Sequence, residues 1–165
     1  MSEIELPFRK GSRILELGGG ESPIFRPNLD IKPGPSVDIV ADLAKDLPIP
    51  NDSFDGVYSC FALEHVSWRR TEHMMKEIYR VLRSRGILML ILPNTREQAR
   101  KVTSSAWDGN ESCLLFGDQN YNENYHAAAF CPASTTKSLI GVGFSGVLVY
   151  PHPAALTDMV VEAIK

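Results

Sequence analysis

Long apolar runs are missing from this 165-residue chain. The longest, Ile87–Leu92, is far shorter than the roughly 20 residues a membrane-spanning helix needs, so no membrane span is expected. Met1–Gly11 is charged and has no apolar stretch, which argues against a secretory signal. Cysteine is scarce: Cys60, Cys113 and Cys131 are odd in number and lack metal-ligand spacing. A disulfide framework is therefore not expected, and a reducing, cytoplasmic location is. A basic excess is missing as well. The net charge is −3, which disfavours a broad surface for duplex nucleic acid, although Arg69, Arg70, Arg80, Arg83 and Arg85 lie close together. No repeat, low-complexity tract or linker interrupts the chain, so residues 1–165 read as one domain.

What is present alternates between short apolar segments and polar ones. Arg13–Leu17, Asn28–Ile31, Val37–Val40 and Phe54–Ser59 read as strands. Gly86–Leu92 reads as a fifth, apolar throughout, as a central parallel strand buried on both faces should be. Thr71, Met74, Ile78, Val81 and Leu82 recur at helical spacing, with Ser67 available as a cap and Gly86 beyond the end. A short helix is expected at about 97–102, then a long loop, then a helix over Pro132–Val142. Ser145–Tyr150 and Asp158–Ile164 read as two last strands forming a C-terminal antiparallel hairpin. The expected fold class is α/β: a Rossmann-like, mainly parallel sheet with helices on both faces.

The first strand ends in Gly18-Gly19-Gly20, the ligand-binding corner of such sheets. A dinucleotide fingerprint would need a third glycine where Pro23 stands, and an acid farther on than Asp30. No Gly-Lys-Ser/Thr follows, so a phosphate-binding loop of the Walker type is excluded.

Ile14-Leu15-Glu16-Leu17-Gly18-Gly19-Gly20 instead resembles motif I of the class I S-adenosylmethionine-dependent methyltransferases. Ala41-Asp42-Leu43 and Leu47-Pro48-Ile49-Pro50-Asn51-Asp52-Ser53-Phe54-Asp55 resemble successive stretches of the type 11 group. So do Tyr58-Ser59 with Leu63-Glu64-His65-Val66, and Tyr79-Arg80-Val81-Leu82 with Gly86-Ile87-Leu88. Phe130-Cys131-Pro132, Gly143-Phe144 and the last strand fit the end of small members, so the likeness covers most of the chain, least over 95–128.

The resemblance implies S-adenosylmethionine as cofactor and methyl transfer as activity. It implies that Glu16 faces the cofactor's ammonium, that Gly18, Gly19 and Gly20 form its loop, and that Asp30 binds the ribose hydroxyls. A carboxylate suits a vicinal diol because it accepts two hydrogen bonds at once. Asp42 and Leu43 match adenine-side positions, and Ser59 belongs to the matching segment after the fourth strand. Glu16 and Asp42 have alternative roles as a carboxylate satisfied by loop amides and as a turn former. Asp55 reads as a local structural acid.

His65 is the candidate catalytic base, the alternative being a histidine packed at the strand–helix junction. Glu64-His65 resembles the end of a Glu-x-x-Glu-His pattern in metal-dependent O-methyltransferases. Phe61 occupies its first position, so no metal is expected. Tyr121, Tyr125 and His126 are candidates for an acceptor lid. Ser59-Cys60-Phe61-Ala62 stands where nucleic-acid base methyltransferases carry Asn/Asp-Pro-Pro-Tyr/Phe, so the expected acceptor is a small molecule.

One departure stands out. Only Glu21–Asn28 separates the glycine loop from the second strand, with Pro23 and Pro27 inside it, too little for a crossover helix. The first helix should be short or absent. The sheet face it leaves bare needs a cover, either Ile4–Phe8 or a second copy of the chain, and the homodimer is the expectation. The loss also makes a catalytically silent cofactor-binding or partner-binding module the alternative to an enzyme.

Overall fold

Alternating apolar segments assemble into one seven-stranded sheet in the computed structural model, which describes residues 4–104 and 111–165. In chain order the strands are β1 Ile14–Leu17, β2 Asn28–Asp30, β3 Ile39–Val40, β4 Phe54–Cys60, β5 Leu82–Pro93, β6 Ser145–His152 and β7 Ala155–Ile164. Across the sheet they run β3-β2-β1-β4-β5-β7-β6. The first five are parallel to one another, and β7 is antiparallel to both β5 and β6. The chain moves outward from β1 to β3 and returns to β4 beside β1. The strand order thus reverses between β1 and β4, the position where open α/β sheets bind ligands at their carboxyl ends.

Alternation along the strands sorts side chains to two faces. Leu15, Leu17, Val57, Leu88, Leu90 and Val161 face one side, where α1 (Thr71–Val81) and α4 (Pro132–Val142) bring Met74, Met75, Ile78 and Leu139. Ile14, Tyr58, Met89, Ile91 and Val160 face the other. There α2 (Thr95–Ser104) packs on β7. A short α3 (Ser112–Phe116) follows it.

None of the connections β1–β2, β2–β3 or β3–β4 carries a helix. Beside β1 and β4 the second face is closed by Phe8 and Phe25. Their rings meet edge to face at 5.4 Å, and Phe25 meets Tyr58 in the same way at 5.4 Å. Gly56 leaves room for this, since a Cβ there would lie 2.6 Å from the Phe8 ring. The cover that suggested self-association comes from within the chain, so that patch no longer requires a partner copy.

Several local expectations change. Ser67 does not cap α1: the cap residue is Arg70, and it makes no side-chain cap hydrogen bond. β3 shrinks to two residues, and Asp38 just before it accepts from the Asn28 amide (2.7 Å) and Arg26 (2.6 Å). β5 starts directly after α1, with an irregular stretch before Ile87 in which Arg85 has φ 65°. The short helix expected at 97–102 extends over Thr95–Ser104.

The segment 47–51 is clamped to α1 by one ion pair. Glu77 accepts from the Leu47 amide (2.7 Å) and from Arg80 Nη2 (2.7 Å) and Nε (2.8 Å). Arg80 also donates to the carbonyls of Ile49 (2.7 Å) and Leu47 (3.2 Å). The Arg80 guanidinium, and secondarily the Leu47 amide, hold the Glu77 carboxyl below its ordinary range against its partial burial. A depressed folded-state pKa gives stability that is present above the unfolded carboxyl value of about 4.3 and lost as pH falls through the folded value. Glu77→Gln should therefore cost on the order of 1–3 kcal/mol at neutral pH, and less in acid. Urea unfolding at pH 7 and pH 3 checks this.

Candidate active site

The glycine loop sits at the carboxyl end of β1. Gly18 and Gly20 have φ of 72° and 55°, in the left-handed region that side chains resist. A Cβ at Gly18 would also collide with that of Ala62 on the neighbouring connection. With no helix to follow, β2 side chains hold the loop. The Gly19 amide donates to Asn28 Oδ1 (3.0 Å) and the Gly20 amide to Asp30 Oδ2 (3.1 Å), while Asn28 Nδ2 donates to the Gly20 carbonyl (3.1 Å). Asn28 is fully buried, and the sequence pattern alone did not mark it as a positioning residue. Its signal was a polar side chain opening an otherwise apolar strand.

Glu16 lies beneath this loop rather than in open space. Its carboxylate accepts from the Phe25 amide at 2.6 Å. Burial raises its pKa, opposed by the Phe25 and Ile24 amides. Ser59 is likewise buried and donates to the Leu17 carbonyl (2.9 Å). Asp55 binds the Arg13 amide (2.9 Å) and Arg83 (2.7 Å), a local structural role.

Gly18, Asp30, Asp42, Leu43 and His65 converge on one cavity of about 350 Å³, together with Phe61 and Tyr121. Glu16, Gly19, Gly20 and Ser59 do not line it. Asp30 Oδ1 accepts from the Lys32 amide (2.9 Å), which leaves a lone pair on each oxygen for a ligand. Asp42 Oδ1 accepts from the Ala44 amide (2.8 Å), the turn-forming role. Lys32 lies over the Tyr121 ring (3.2 Å) and pairs with Glu123 (3.4 Å), holding this part of the 117–128 segment over the cavity.

A second cavity of about 550 Å³ adjoins the first, sharing Phe61, His65 and Tyr121 as walls. Its lining includes Glu64, Asp118, Asp158 and His126 and, among the described residues, no lysine or arginine. Burial, then the neighbouring Asp158, push the Glu64 carboxyl up to about 8. Burial and the nearby His65 lower the pKa of His126. The lid segment is stitched to this corner: the Ala127 amide donates to the Glu64 carbonyl (2.7 Å), and His65 Nδ1 contacts the Tyr125 carbonyl (3.0 Å). A carbonyl only accepts, so Nδ1 carries the hydrogen and Nε2 the lone pair.

This geometry has counterparts. The model of a family described as a methyltransferase domain matches residues 23–90. A solved S-adenosylmethionine-dependent methyltransferase from Mesorhizobium loti superposes with TM-score 0.64 at 22% identity, over 94% of this chain and 91% of that one. Residues 23–90 thus resemble the methyltransferase-domain family, and the chain has the fold of solved S-adenosylmethionine-dependent methyltransferases. A Thermotoga maritima methyltransferase, described as a possible histamine N-methyltransferase, superposes on the domain with TM-score 0.63 at 18% identity, covering 93% and 82% of the two chains. The Burkholderia thailandensis 1,6-didemethyltoxoflavin-N1-methyltransferase, solved with S-adenosylhomocysteine, gives 0.64 at 15%, covering 93% and 71%. No curated protein matches the chain significantly. S-adenosylmethionine is the cofactor named for these neighbours. Its adenosyl end fits the residues present: an accepting carboxylate at Asp30, apolar walls at Leu43 and Phe61, and backbone at Gly18. The Glu16 carboxylate accepts from the Phe25 amide and does not line this cavity.

Proposed function

We propose that the chain transfers a methyl group from S-adenosylmethionine to a small, non-anionic acceptor held in the second cavity. The observation that supports this most is the shared wall. Two cavities meet at Phe61, His65 and Tyr121, one beside the glycine loop and the other lined by carboxylates and histidine. In this reading Asp30 accepts from the ribose hydroxyls, Asp42 and Leu43 flank the adenine, and Gly18 lets the backbone approach. Glu16, Gly19, Gly20 and Ser59 act by holding the loop. The cofactor supplies an activated methyl sulfonium, so the protein's task is to align an acceptor atom and exclude water. His65 lines both cavities, and with Nδ1 engaged by the Tyr125 carbonyl its Nε2 is the nitrogen left to act as a base. Carboxylates without a lysine or arginine disfavour phosphate, nucleic acid or carboxylate acceptors.

Cys60, Cys113 and Cys131 form no disulfide, which supports a cytoplasmic location. No described helix is long and apolar enough to cross a membrane.

S-adenosylmethionine and S-adenosylhomocysteine should both raise the melting temperature. A ligand at a hundredfold its dissociation constant stabilises by about 2.7 kcal/mol. A labelled-methyl screen against neutral and basic metabolites should then yield a product. Binding without any turnover would favour the silent module, and the absence of a thermal shift with both compounds would reject the reading.

A further inference from the structure

The second cavity contains a group of side chains that methyl transfer leaves unexplained. Glu64, His65 and His126 bring one ligand-type atom each to within 4.8 Å of one another. Glu64 and His65 share a single turn after β4, whereas His126 arrives from a distant segment. Glu64 is 1% exposed, and its Oε2 has no hydrogen-bond partner. A buried carboxylate oxygen without a donor is costly, and such groups are paired or coordinate metals.

His65 is oriented as a metal-binding imidazole is. His65 spends Nδ1 on the Tyr125 carbonyl (3.0 Å), which leaves Nε2 free. His126 brings one ring nitrogen to within 4.8 Å of the ligand atoms of Glu64 and His65. A metal-binding imidazole characteristically donates its other ring hydrogen to a carbonyl or carboxylate, which fixes the tautomer and the ring plane.

We propose that Glu64, His65 and His126 form a site for one divalent transition-metal ion, Zn²⁺ by ligand chemistry. Two imidazoles and one carboxylate are a ligand set of catalytic zinc sites, in which the fourth position stays open. Four-coordinate bonds of 2.0–2.1 Å set ligand atoms about 3.4 Å apart, so the cluster must contract by at most about 1.5 Å. Hinging of the His126 segment and rotation of the rings suffice. All three residues line the second cavity, so an oxygen or nitrogen of an acceptor held there could take the fourth position. The Glu-x-x-Glu-His pattern failed at Phe61 because it counts only local neighbours, and His126 supplies the third ligand from elsewhere in the fold. A metal on His65 Nε2 takes the lone pair that the base role would use, so with the ion bound His65 acts as a ligand and not as a base. The acceptor role of the metal rests on the methyltransferase reading; the binding of the ion does not.

The experiment is a Co²⁺ titration of the metal-free full-length protein, followed by visible d–d absorption. One Co²⁺ per chain is expected, displaced stoichiometrically by Zn²⁺ with loss of the band. Glu64→Gln and His126→Gln should each weaken it about a hundredfold or more. S-adenosylhomocysteine affinity, measured on the same samples, should stay within a few-fold of wild type and shows that each variant is folded. No Co²⁺ or Zn²⁺ uptake by the wild type, or equal uptake by both variants, overturns the metal site whether or not the cofactor binds. An organic ammonium such as tetramethylammonium that binds in a Glu64-dependent way while Co²⁺ does not assigns the carboxylates to a cationic acceptor and also overturns it.

Discussion

Gly18→Val should abolish cofactor binding and lower stability more than any other single change at the site. Two independent costs combine. Gly18 has φ 72°, a conformation that costs an L residue roughly 1–2 kcal/mol and a β-branched one more. The new Cβ would also meet Ala62 Cβ on the connection after β4, and overpacking adds about 1–3 kcal/mol. Together they amount to about 2–5 kcal/mol, a large part of the total stability of a domain. Relief requires β1 and the β4 connection to separate, which opens the wall the cofactor would use. Gly18→Ala should show the same direction with a smaller loss. Denaturant unfolding and calorimetric titration with S-adenosylhomocysteine measure the two effects separately, and near-wild-type values for both would remove the loop from the site.

Asp30→Ala should weaken S-adenosylhomocysteine by at least about tenfold, and by more than about a hundredfold if both ribose bonds are lost, since each hydrogen bond to a charged group contributes about 1.5–3 kcal/mol. Part of the loss is indirect. The Gly20 amide loses its acceptor, and with it one of the ties that replace the missing first helix. Asp30→Asn keeps an oxygen for that amide and should recover part of the affinity. Equal binding by wild type and Asp30→Ala moves the ribose site to Asp42.

Much of this was legible from residue order alone. The apolar run at 87–92 announced a strand buried on both faces, and β5 has every residue from Leu88 to Leu92 in the core. Pro132 and Gly143 bracketed α4, because proline suits a first helical turn and glycine a left-handed end. The short, proline-bearing stretch after the glycine loop correctly foretold a missing helix. Roles that depend on where a side chain turns were less accessible. Glu16 and Asp30 are both strand-end acids, yet one is turned under the loop to the Phe25 amide and the other lines the cavity. Ser59 lies on the matching segment, but the direction of its strand position buries it against Leu17. The partnership of His126 with Glu64 and His65 spans about a third of the chain and has no local signature. The cover by Phe8 was one of two options in the sequence, and only packing against Phe25 and Gly56 chooses it.

A crystal structure of the wild-type protein with S-adenosylhomocysteine tests the central assignment most directly. The ribose hydroxyls should lie within hydrogen-bond distance of Asp30, the adenine beside Leu43, and the sulfur directed at the wall shared by Phe61, His65 and Tyr121. A ligand seated away from Gly18 and Asp30, or with its sulfur turned from the second cavity, would contradict the assignment.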